Sequence, residues 1–240
     1  MRYVLAASVW ILLAVNPALG QDLGPEESRQ RLQDRGHDLS QLSYQSAILN
    51  GDAELVDLYI EAEYDPRGTL QRSGVELSYL VLSIPDRPEV ARVLLENGAD
   101  PNERTLGSYL LHDAIPHLDP MRLLLKYGAD PSAESAAGFQ PIHMAVQSDT
   151  TAEVRVEAVK LLLRHGANVD AVAEGDGFAA TPLLMCAIYG RPEVAKVLLE
   201  NGAAATLSEM GLTLGGDKTV VGLANEKSNH ETVEVIAAYQ

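Results

Sequence analysis

The stretch Pro88-Glu89-Val90-Ala91-Arg92-Val93-Leu94-Leu95-Glu96-Asn97-Gly98-Ala99 returns as Pro192-Glu193-Val194-Ala195-Lys196-Val197-Leu198-Leu199-Glu200-Asn201-Gly202-Ala203, with Arg92 for Lys196 as the one exchange. Two looser copies lie between them, Met121-Arg122-Leu123-Leu124-Leu125-Lys126-Tyr127-Gly128-Ala129-Asp130 and Val159-Lys160-Leu161-Leu162-Leu163-Arg164-His165-Gly166-Ala167-Asn168. Internal periodicity decides architecture, so it outranks every other signal. In each copy the apolar residues recur at helical spacing. Gly98, Gly128, Gly166 and Gly202 stand where a helix needs a left-handed residue to end. Asp-Pro at 65–66, 100–101 and 130–131 then prevents the helix from resuming. A weaker copy runs from Gly51 to Ile60 and a last one from Lys218 to Ile236, which makes about six units of roughly 35 residues.

Upstream of each stripe lies a shorter helical segment. It reads Gln140-Pro141-Ile142-His143 and Thr181-Pro182-Leu183-Leu184, and more loosely Tyr109-Leu110-Leu111-His112 and Ser78-Tyr79-Leu80-Val81. Proline at the first helical position loses nothing, because that N–H has no partner inside the helix. No single unit buries its own apolar stripe, so neighbours must stack and share a core. Together with Gly190-Arg191-Pro192-Glu193-Val194 and the Gly-Ala endings, these residues resemble the ankyrin repeat family over about residues 40–240. The resemblance implies an all-α fold, an α-solenoid of helix-turn-helix units with finger loops. The units fall at about 41–72, 73–105, 106–135, 136–173, 174–209 and 210–240, after an N-terminal capping helix within 21–40. Departures are visible. The third unit is short, Ser148-Asp149-Thr150-Thr151 is inserted before an outer helix, Glu174–Ala180 lengthens one finger, and Glu63 replaces the usual glycine.

At the start of the chain, Arg2 precedes the apolar run Val4–Val15, Pro17 breaks it, and Ala18-Leu19-Gly20 supplies small residues before Gln21. This pattern predicts a signal peptide over residues 1–20. The run is short for a transmembrane span; the alternative is an uncleaved N-terminal anchor. With 46% hydrophobic residues the 240-residue chain is no disordered polymer. A net charge of −16 argues against nucleic acid or an anionic membrane surface as the main partner. The single Cys186 excludes an intrachain disulfide framework and a cysteine-rich zinc site. An exported chain without disulfides fits a bacterial periplasm, with secretion as the alternative. Two Phe and one Trp point to a core of Ala, Leu and Val.

The search for chemistry ends in structural readings. The resemblance implies that His112 and His143, at the starts of repeats, hydrogen-bond backbone between units. Pro116 interrupts the helix between His112-Asp113 and His117, and no histidine pair has the H-E-x-x-H spacing of a zinc hydrolase. Gly211–Thr219 resembles a phosphate loop, but Asp217 precedes Lys218-Thr219 with a charge that repels phosphate. Cys186 beside Ala187 reads as a small hydrophobe between helices, and no Gly-x-Ser-x-Gly elbow is present. The expectation is therefore no enzyme, no cofactor and no metal ligand.

What remains is a surface. The resemblance implies that finger tips and the exposed side of the first helices form one concave groove. Phe139 and Phe178, the only phenylalanines, follow Gly138 and Gly177 in two tips. Each ring either anchors a partner or folds back over its neighbouring finger. The candidate protein-binding residues are Glu103, Arg104, Ser108, Glu134, Phe139, Glu174, Asp176, Phe178 and Tyr189. An acidic groove steers basic partners. The expectation is a monomeric, exported, non-catalytic binder of another protein, a basic lytic enzyme or toxin that it inhibits or neutralises. Similar bacterial exported ankyrin proteins include some with that role. The alternatives are a secreted effector that binds host proteins, and an envelope scaffold or stress-defence accessory.

Overall fold

The computed structural model describes residues 24–204 apart from 73, 106, 116, 176 and 177, together with 227 and 229–239. The expected signal peptide at 1–20, Asp176 and residues 205–226, with Lys218-Thr219 among them, lie outside the described residues. Glu174 and Phe178 are described by their backbone alone.

The predicted stripes form antiparallel helix pairs. In chain order these are α2 (Gln41–Asn50) with α3 (Ala53–Glu61), α4 (Tyr79–Ser83) with α5 (Pro88–Glu96), α6 (Leu110–Ala114) with α7 (Leu118–Lys126), α8 (Pro141–Gln147) with α9 (Ala152–Arg164), and α10 (Pro182–Tyr189) with α11 (Pro192–Glu200). The leading helix α1 (Pro25–Asp34) packs on α3, and the last described helix, α12 (His230–Ala237), packs on α11. The outer helices α3, α5, α7, α9 and α11 stack in sequence. Their buried faces are the stripes read from the sequence, for example Val90, Leu94, Val194 and Leu198, each fully buried. Full burial of one such side chain is worth roughly 1.5–3 kcal/mol, so a continuous row of them holds the stack.

Inner helices begin in two ways. Ser40, Ser78 and Thr181 each accept a hydrogen bond from the backbone N–H three residues on, at Ser43, Val81 and Leu184. The other two starts carry a histidine three residues on. His143 Nδ1 accepts from the Gln140 N–H at 3.1 Å, so Nε2 carries the proton and donates to Ala171 O at 2.9 Å. His112 Nε2 is likewise 2.9 Å from Phe139 O, tying α6 to the next finger.

Two fingers depart from the all-α expectation. Thr69–Arg72 (β1) and Val75–Ser78 (β2) form an antiparallel hairpin, as do Ala173–Gly175 (β3) and Phe178–Ala180 (β4). In the first, β-branched and alternating residues favour extended backbone, and Gly74 with φ 80° makes the reversal. Glu63 adopts φ 73° at the end of α3, the left-handed place that glycine holds in the other repeats. The core is not purely aliphatic either. Tyr44, Tyr59 and Tyr79 are buried, and Tyr44 packs on Tyr59, Tyr64 and Tyr79 at ring separations of 5.6, 5.3 and 5.4 Å.

Candidate functional site

Along the inner row, α2 packs on α4, while α6, α8 and α10 pack on one another. Beside α4 and α6, the two five-residue helices, the surface is hollowed. One hollow of about 510 Å³ lies between the first hairpin and the 103–108 loop, lined by Ser78, Val81, Glu103, Arg104, Ser108 and Asp113 among others. A second of about 230 Å³ continues it along α6, between Val81, Ile84, Leu110, Asp113 and His117. Val81 and Asp113 line both, so the two are contiguous.

Local hydrogen bonds hold the polar lining. The Leu110 N–H donates to Glu103 O at 3.1 Å and Thr105 N–H to Ser108 O at 3.0 Å, which closes the 103–110 loop over the start of α6. The Ser78 hydroxyl, at the end of the first hairpin, donates to the Glu103 carboxylate. The Ser108 hydroxyl donates to Asp113 at 2.9 Å, and Thr69 to Glu76 at 2.6 Å. The two cations of the hollow are engaged elsewhere. Arg67 pairs with Asp65 at 3.3 Å, and the Arg104 guanidinium lies 5.0 Å from the Tyr109 ring centre. Glu103 is half-buried, and among the described residues no cation pairs with it. Burial raises its pKa above the ordinary glutamate value, Asp100 adds to that, and the Ser78 hydroxyl opposes it.

The structure brings Glu103, Arg104 and Ser108 together in this hollow. Glu134 stands exposed on the next finger, beside Gln140 at 3.5 Å. Phe139 folds back. Its half-buried ring meets His143 edge-on at 5.9 Å and packs on the core. Phe178 lies in β4, its backbone paired with Gly175, and Glu174 lies in β3 opposite Ala179. Tyr189 is 41% exposed at the far end of the inner helices, where its hydroxyl accepts from Gln147 at 3.0 Å. These residues therefore do not form one cluster. Sequence reading missed Ser78, Val81 and Asp113. They come from three separate segments, the end of the hairpin, α4 and α6, and no single sequence pattern links them.

Nothing in this surface resembles a reaction centre. Burial holds the pKa of His112 and of His143 below the ordinary imidazole value, so both rings are neutral hydrogen-bonding struts. The buried Cys186 thiol is pushed far above its usual value, which removes thiolate reactivity. Among the described residues no group of three or more His, Cys, Asp or Glu is placed to hold a metal ion. No described helix is long and apolar enough to cross a membrane.

Residues 119–209 match the family described as Ankyrin repeats, in three copies. Over 104 residues, 42% of its length, the chain is 33% identical to ankyrin repeat and SOCS box protein 16 of Homo sapiens. Over 126 residues, 50% of its length, it is 28% identical to an ankyrin repeat protein of fowlpox virus (strain NVSL). The matches span 21% and 15% of those relatives' own lengths. Residues 119–209 thus carry ankyrin repeats, and the mostly helical stack continues the same helix pairs on the N-terminal side of that match. Such repeats are a general protein–protein interaction module.

Proposed function

We propose that this ankyrin repeat fold works as a non-catalytic binder of another protein, engaged along the fingers and inner helices. The observation that carries the reading is the polar hollow between the first hairpin and the 103–108 loop, beside α4 and α6, on the face where repeat arrays present concave binding surfaces. Its carboxylates, with the chain's net charge of −16, favour a basic partner through steering and complementarity. The apolar run Val4–Val15 supports export to a bacterial envelope. A basic lytic enzyme or toxin, held inactive by the bound protein, is the partner class that joins these features.

Immobilised protein exposed to an envelope fraction, with retained proteins identified by mass spectrometry, tests the reading. One basic protein enriched well above a control array is the expected result. Retention of none, or only of acidic proteins, contradicts it. Fractionation of cells separates the compartments: periplasm is expected, and recovery of the chain only from culture medium overturns the envelope assignment.

A further inference from the structure

We infer that the hollow between the first hairpin and the 103–108 loop receives an arginine side chain of the partner, carried on an extended segment that crosses Val81. The inference rests on the protein-binding reading above and names what that surface recognises.

Three carboxylates line the hollow, Glu76, Glu103 and Asp113, and each accepts a hydroxyl hydrogen bond, from Thr69, Ser78 and Ser108 respectively. A carboxylate has room for several acceptor contacts, so the one hydroxyl that each accepts among the described residues leaves capacity for a cation. Removing a carboxylate from water without a cation is costly, and half-buried Glu103 bears that cost. An incoming cation relieves it. Arg67 and Arg104 do not do so, since one is paired with Asp65 and the other lies over Tyr109. Three carboxylates against two arginines, both already engaged, leave the lining net negative and favour a cation over an anion.

Leu77 and Val81 supply apolar wall beside these acids. That combination suits a long side chain with an aliphatic stem and a charged head. Several acceptors spread around one space suit guanidinium, whose five N–H groups point in fixed directions, better than a compact ammonium. The volume of about 510 Å³ admits such a side chain with part of its backbone. The smaller hollow beyond Val81, between Ile84, Leu110 and Pro120, then faces a neighbouring apolar residue of the same segment.

The test uses the full chain and the peptide acetyl-Ala-Ala-Arg-Leu-Ala-Ala-amide, followed by backbone amide NMR. The arginine peptide is expected to shift the amides of Ser78, Glu103, Ser108 and Asp113. Replacing arginine by citrulline, which keeps the shape and removes the charge, should weaken binding at least about tenfold. Lysine in that place should fall between the two. Glu103→Gln and, separately, Asp113→Asn should each weaken the arginine peptide about fivefold or more. Glu200→Gln, on the outer row, should leave it within about twofold. Equal binding of the arginine and citrulline peptides, shifts confined to the outer helices, or no shifts at millimolar peptide overturns the inference. Those peptide arms use the native chain, so a variant that folds poorly does not decide the outcome. A captured protein whose retention ignores both substitutions would leave the protein-binding reading standing and sink the arginine pocket. Peptide binding here without any captured protein would do the reverse.

Discussion

The two halves of the stack are built to different rules. From residue 119 to 209 the units follow the repeat pattern closely. Pro141, Pro182 and Pro192 open helices, and Gly166 and Gly202 close the stripes with φ of 93° and 85°. Between residues 41 and 115 the outer helix Pro88–Glu96 keeps the pattern, but the other helix starts and ends depart from it. Tyr79 takes the place that Pro141 and Pro182 hold later, and Glu63 takes a glycine's place. A cluster of tyrosines fills the space. The Tyr59 hydroxyl donates to Asp38 O at 2.8 Å, and Gln41 and Gln45 donate to the Tyr79 hydroxyl at 2.7 and 3.2 Å. The irregular half makes the hollow between the first hairpin and the 103–108 loop. On the proposed reading, recognition falls where the sequence stops repeating.

The largest effects should come from the two cores. Tyr44→Ala removes the ring at the centre of the tyrosine cluster and should cost about 3–5 kcal/mol in denaturant unfolding; Leu162→Ala in the regular half should cost about 2–5 kcal/mol. Retention of full stability by Tyr44→Ala would show that the irregular half is not held by this cluster.

Backbone positions come next. Gly190 has φ 64°, and a methyl group there would lie 2.7 Å from Asn229 Oδ1. Asn229 in turn donates to Ala187 O and Ile188 O at 2.7 and 3.1 Å, clamping the end of the array to α10. Gly190→Ala should therefore cost more than the roughly 1 kcal/mol expected at Gly98, whose surroundings are open. Glu63→Gly in the irregular half should have the opposite sign. It relieves a left-handed non-glycine residue worth about 1–2 kcal/mol and gives up only an exposed pair with Arg29. A rise in melting temperature is the expected result.

The smallest effects are in pH dependence, and the halves should differ in sign. His143 has its folded-state pKa lowered, so the unfolded chain binds the proton more readily. Its contribution is complete above the ordinary imidazole value of 6.5 and is lost as pH falls toward the folded value. His143→Gln should flatten the loss of stability on acidification, measured by thermal melts between pH 7 and 5. Glu103 has its folded-state pKa raised, so the folded chain binds the proton more readily. Stability then falls as pH rises above 4.5, and Glu103→Gln should gain on the native chain near neutrality and converge with it below that value.

Much of the stack was legible because Val, Leu and Gly at helical spacing have one economical solution. The histidine struts at 112 and 143 were what the family resemblance implied, and both rings bond backbone of the next unit. The first hairpin was not legible, since Thr69–Ser78 is short, polar and next to a turn, and its pairing depends on the finger standing clear of the stack. The hollow was half legible. Glu103, Arg104 and Ser108 sit in one loop and could be named, but Ser78, Val81 and Asp113 join them only through the spacing of α4 from α6, which no local pattern encodes. Phe139 showed a similar limit, because its place against His143 depends on a neighbouring repeat start.

Hydrogen–deuterium exchange of the full chain, alone and with its captured partner bound, tests the central claim most directly. Binding should slow exchange over residues 69–78 and 103–115, where the hairpin, the loop and α6 frame the hollow, and leave α7 and α11 on the outer row unchanged. Protection confined to the outer helices would contradict the account.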